Sequence, residues 1–153
     1  MKKSILMLLC LFSIQHILIS QDHTKDVIGV KAACVDYINT FYNADTTLAY
    51  KSVHESLRKT GFYFKDEKNH YSQQLEMPFE NLIDLAKRWN AKGDKTDANS
   101  PKEVEIFEVS DKTAVAKVTA VWGIDYMSLM KIKGKWMIVN VLWQSPPKFS
   151  VRE

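Results

Sequence analysis

Cysteine is scarce: two in 153 residues, Cys10 and Cys34. Glycine is scarce too, with five, at Gly29, Gly61, Gly93, Gly123 and Gly134. Their spacing excludes a dinucleotide fingerprint, a phosphate loop and a nucleophile elbow, each of which needs glycines a few residues apart. No His-Glu-x-x-His occurs, and His23, His54 and His70 are scattered. A zinc site therefore lacks its ligand spacing, and no metal or other cofactor is expected. Runs of five like charges are missing as well, which makes nucleic acid and anionic membrane surfaces poor partners. What remains is an ordinary globular composition, 46% hydrophobic and 25% charged, long enough for one domain with a real core.

Residues 1–20 differ from the rest. Lys2 and Lys3 precede an apolar run from Ile5 to Ile19, broken only by Ser13, Gln15 and His16, and Ser20 ends it. This order is that of a secretory signal peptide, with the mature chain starting at or near Gln21. The run is shorter than the roughly 20 residues of a spanning helix, so no stable membrane anchor is expected. Leu9 before Cys10 is not the small residue that a lipoprotein cleavage wants. The expected product is exported, periplasmic or extracellular. Without Lys2 and Lys3 its formal charge falls from +3 to +1. Cys34 is then alone, so no internal disulfide staples the core.

Residues 21–153 read as a single domain. Val27, Val30, Cys34, Ile38 and Phe41 recur at steps of three and four, predicting a helix from about Asp26 to Asn43. Cys34 lies in that stripe, as a buried inert thiol would. Asp45 resembles the N-cap of a short second helix through Leu48, Tyr50 and Val53. Phe62 to Phe64 and Tyr71 to Leu75 look like two short strands joined by a polar stretch. Pro78 and Gly93 bracket a third helix with Phe79, Leu82, Ile83, Ala86 and Trp89 on one face. Four strand-like runs follow: Val104 to Val109, Thr113 to Trp122, Ile124 to Lys133 and Trp136 to Trp143. Ala114, Ala116, Val118, Ala120 and Trp122 share one face of the second run. That face is small until its end, which suits a sheet closely covered by helices with more room near Trp122. Helices first and an antiparallel sheet after them predict an α+β fold with the helices on one face.

Particular segments carry a resemblance. Asp125-Tyr126-Met127-Ser128-Leu129-Met130-Lys131, then Gly134-Lys135-Trp136-Met137-Ile138-Val139-Asn140-Val141 and Trp143, resemble the closing hairpin of the putative lumazine-binding family. That family belongs to the nuclear transport factor 2-like superfamily, with the SnoaL-like cyclases and steroid isomerases. His54-Glu55-Ser56-Leu57-Arg58-Lys59-Thr60-Gly61 is similar to the family's His-Pro-x-Leu-x-Lys-x-Gly stretch, with Glu55 in place of proline. The resemblance runs from Val27 to Ser145. It implies a cone of helices on a curved sheet, a pocket at the wide end lined by aromatics, and often a dimer through the outer sheet face. It does not imply a reaction, because such folds host enzymes, binders and assembly modules alike.

Four residues are the expected ligand contacts: His54, Trp89, Tyr126 and Trp143. Trp89 ends the third helix and Trp143 the last strand. Their rings could stack on a flat ligand, though aromatic stripes at such spacing also build cores. His54 could bond a ligand or serve as acid or base. The alternative is a histidine that satisfies helix-end carbonyls. Asp125 and Tyr126 could supply the base and donor used for proton transfer beside a carbonyl, yet strand neighbours face opposite ways, so at most one lines a cavity. Alternatively, Asp125 is solvated near a turn and Tyr126 is packed. The leading expectation is a non-catalytic binder of a small hydrophobic or aromatic molecule, acting as a homodimer. One alternative is a cofactor-free acid–base enzyme of isomerase, cyclase or hydratase type using His54 or Asp125, and a second is a protein-interaction module.

Overall fold

The computed structural model describes residues 23–148. The expected signal peptide and its cleavage after Ser20 lie outside the described residues.

Helix α1 covers residues 23–42. Its face Val30, Cys34, Ile38 and Phe41 is buried, as the three–four periodicity predicts, and Tyr37 beside it is fully buried too. α2 (Thr46–Ser52) begins where the Asp45 carboxylate accepts from the Thr47 amide at 3.0 Å, an N-cap at the expected place. α3 (Phe79–Trp89) follows Pro78 and buries Phe79, Leu82, Ile83 and Ala86.

Eight strands accompany the helices among the described residues: β1 (Val53–Phe62), β2 (Phe64–Lys65), β3 (His70–Tyr71), β4 (Leu75–Met77), β5 (Glu103–Val109), β6 (Thr113–Ala120), β7 (Gly123–Ile132) and β8 (Lys135–Gln144). Six form one sheet in the order β4-β1-β8-β7-β6-β5, and β2 pairs with β3 apart from it. Every pair is antiparallel except β1 with β8. Register shifts in the β1–β8, β5–β6 and β7–β8 pairs are bulges of the kind that bend strands and curve a sheet.

The sequence foresaw β5 to β8 within a residue or two but not β1. Val53, expected on α2, instead starts a strand of ten residues, and Phe62 ends it rather than beginning one. The helices cover one face of the sheet. Ala114, Ala116, Val118 and Ala120 of β6 are buried there, and their small side chains let helix and sheet approach closely. No helix among the described residues is long and apolar enough to cross a membrane.

Candidate functional site

Strand alternation decides what enters the space under the helices. On β7, Asp125, Met127 and Leu129 point inward, and Tyr126 is 46% exposed on the opposite face. On β1, Leu57, Lys59 and Gly61 point inward, and Arg58 turns to solvent. An aspartate at 0% exposure and a lysine at 6% are thus delivered into an otherwise apolar interior.

They meet there. Lys59 Nζ lies 3.1 Å from Asp125 Oδ1 and donates to the hydroxyl of Tyr37, placed by α1. Trp122 Nε1 donates to Asp125 Oδ2 at 2.7 Å. Every charge is thereby paired and hydrogen-bonded, which an ion pair in a low-dielectric interior requires. Burial pulls the Lys59 ammonium below the usual lysine range, and Asp125 opposes that shift. Burial, then the neighbouring Asp125 charge, hold the Tyr37 phenol well above its ordinary value. The Lys59 ammonium also sits 5.4 Å from the centre of the Trp143 ring, within cation–π range.

Beside this network is a cavity of about 130 Å³. Phe41 and Lys59, both buried, form its floor, and the half-buried Met77, Leu85, Trp89, Trp122 and Trp143 form its walls. Its rings brace one another: Trp89 and Trp122 meet edge to face at 5.5 Å, as do Phe41 and Trp122 at 5.1 Å. Tyr42 stacks on Trp89 at 6.2 Å behind the wall. Each such pair contributes about 0.5–1.5 kcal/mol beyond its burial and holds the walls in place. The Trp143 indole nitrogen is buried with no hydrogen-bond partner. Wider grooves exist, such as one of about 450 Å³ beside Arg58 and Glu76 that shares Lys59 and Met77 with this cavity, but their linings lack its indole walls.

Of the four expected contact residues, Trp89 and Trp143 share this cavity. Tyr126 does not reach it, because the odd residues of β7 face inward. His54 does not reach it either. Instead of closing α2 it lies on β1, where its Nδ1 lies 2.7 Å from the Ser56 hydroxyl and accepts from the Ser56 amide at 3.2 Å. Asp125, the other candidate acid or base, is fully buried rather than solvated near a turn. Lys59 and Tyr37 were not foreseen. The available signal was Lys59 at an alternate position between Leu57 and Gly61, legible only once that stretch is read as a strand. Cys34 is inert by position, since burial pushes its thiol up to about 12. Among the described residues no group of three or more His, Cys, Asp or Glu side chains could hold a metal ion.

Residues 25–144 match the model of a family described as "Putative lumazine-binding". No curated protein matches the chain. Among solved structures, an NTF2-like protein of unknown function from Shewanella baltica superposes with a TM-score of 0.57 at 16% identity, covering 82% of this chain and 97% of its own. An NTF2-like protein with a cystatin-like fold from Novosphingobium aromaticivorans gives 0.59 at 11% identity, covering 89% and 92%. One from Silicibacter pomeroyi, also of unknown function, gives 0.56 at 15%, covering 78% and 95%. At such identities the likeness is one of fold: α+β, NTF2-like, helices on a curved and mostly antiparallel sheet.

Proposed function

The chain belongs to the putative lumazine-binding family, and we propose that it is an exported, non-catalytic domain that binds a small planar molecule in the tryptophan-walled cavity. The observation that carries this reading is the cavity itself, with three indole walls around one buried ammonium. Flat rings stack well between such walls, and one fixed polar group orients them. Export is supported by Lys2, Lys3, the apolar run and Ser20.

The buried Lys59–Asp125–Tyr37 cluster favours a second reading, a cofactor-free acid–base enzyme with Asp125 as the base. Binding is preferred because both Asp125 oxygens are already bonded, to Lys59 and Trp122. A base must be free to take a proton from its substrate.

Native mass spectrometry on protein recovered from outside the cytoplasm of its host tests both halves of the proposal. The expected mass begins at or near Gln21, and a fraction of the protein carries a small co-purified adduct lost on denaturation. A retained Met1 or a lipid on Cys10 would overturn export. Binding is overturned if no adduct is found and no planar heterocycle or sterol-like ketone quenches tryptophan emission below about 1 mM.

A further inference from the structure

Resting on the cavity being a binding site, we infer that its occupant is a neutral planar ring bearing a carbonyl, recognised by donors alone. A lysine ammonium has three hydrogens to donate. One goes to Tyr37 and one to Asp125, and the third has no acceptor among the described residues. The Trp143 indole N–H also has none. Both residues line the cavity, but the indole nitrogen is itself closed off from solvent, so Lys59 is the donor on which recognition turns.

Acceptors are another matter. Asp125 lies behind Lys59, fully buried and not part of the cavity wall. It already accepts from Lys59 on one oxygen and from Trp122 on the other. The Tyr37 hydroxyl accepts from Lys59 and is not part of the cavity wall either. The side chains of the wall therefore offer hydrogens and no free acceptor. A ligand amine, amide N–H or hydroxyl proton would be buried without a partner, which is costly.

Charge narrows the class further. The Lys59 ammonium is balanced by Asp125 at 3.1 Å, so the site holds a paired charge and not a free cation. An anionic ligand would lose its hydration with no net countercharge to replace it. A carbonyl oxygen suits Lys59: it is a strong acceptor, neutral, and conjugated in the plane of a ring. Size sets the rest. The cavity of about 130 Å³ is close to the roughly 150 Å³ of an apolar cavity known to hold benzene. One six-membered ring fits inside, and any further ring must extend out through the cavity's open side.

Four compounds of one shape separate these terms: acetophenone, cumene, benzamide and benzoate. Calorimetric titration should rank acetophenone above benzamide and show no benzoate binding below about 1 mM. The acetophenone carbonyl stretch should move to lower wavenumber on binding. In the double variant Lys59→Met/Asp125→Asn, acetophenone should weaken about tenfold, the scale of a hydrogen bond to a charged group, and cumene should not weaken. If that variant does not fold, the ranking and carbonyl shift of the wild-type protein decide alone. Benzoate or benzamide binding as tightly as acetophenone, or no carbonyl shift, overturns donor-only recognition and leaves the binding site standing. Failure of all four, cumene included, overturns both.

Discussion

Asp125 and Lys59 are each unable to stand alone. Removing one member of a buried ion pair leaves the other charge desolvated, which costs about 3–5 kcal/mol. Asp125→Asn and Lys59→Met should therefore each destabilise the protein by about 3 kcal/mol or more in urea unfolding. The double variant should recover much of that loss, because no uncompensated charge remains and the introduced amide oxygen can still accept from Trp122. Strict additivity of the two losses would show that the pair is not coupled. At this scale the sequence carried part of the answer. Trp89 and Trp143 were recognisable because each ends its element where the sheet widens. Asp125 and Tyr126 had to be opposed, but their order could not be settled from the strand alone. Asp125 is the only fully buried charged group of β7, whereas Lys131 near the strand's end reaches Asp26 of α1 at 2.6 Å. A carboxylate breaking an apolar alternation looks like a solvated end until its lysine is known, and that lysine is 66 residues away in sequence.

β1 is the element on which the site depends, and it was the least legible. Its inward positions past the bulge are Leu57, Lys59 and Gly61, only one of them a large apolar residue. Before it, His54, Glu55 and Ser56 fall in the register shift between Val53 and Arg58, so the period of two is broken there. A polar, interrupted alternation reads as a loop, whereas β6 and β7 each alternate cleanly for eight residues. The long crossover that sets β1 parallel to β8 leaves no local trace either, since only the finished sheet shows it. Gly61 is small because of that pairing. A Cβ there would lie 1.9 Å from the Trp143 carbonyl oxygen and 2.6 Å from Trp143 Cδ1. Gly61→Ala must push β8 away and tilt a wall of the cavity. The expected loss is at least about 1–3 kcal/mol of stability, the usual scale of overpacking. Trp143 emission should shift as well. A variant with wild-type midpoint and unchanged emission would mean that β1 and β8 are not so closely packed.

For the molecule as a whole, the uncovered side of the sheet decides how it exists in solution. Helices cover one face. On the other, Val115, Tyr126, Met130 and Leu142 are each between 39% and 49% exposed. Tyr126 and Leu142 are direct partners across β7 and β8, with Lys117 in the same row on β6 and Thr60 on β1. Single exposed apolar residues need no explanation, but a contiguous set on a rigid sheet does. A second copy placed about a two-fold axis would bury the same patch on both chains, needing no other partner and leaving the cavity mouth on the far face free. Lys117 in this row is paired with Glu105, so its charge does little to oppose such a contact. A stable contact of this kind covers about 800 Å² on each chain, which a face of four strands can supply. The protein is therefore expected as a homodimer at micromolar concentration, and Tyr126→Glu/Leu142→Lys is expected as a folded monomer. Light scattering checks both, against 17.7 kDa for one full-length chain, or about 15 kDa once residues 1–20 are removed. The paired substitutions place opposite charges side by side within each chain, so the monomer's own sheet should keep its melting temperature. The dimer instead loses apolar contact at its centre, where truncation is costliest. A monomer for the unaltered protein, or a dimer that survives both substitutions, would put the interface elsewhere or nowhere.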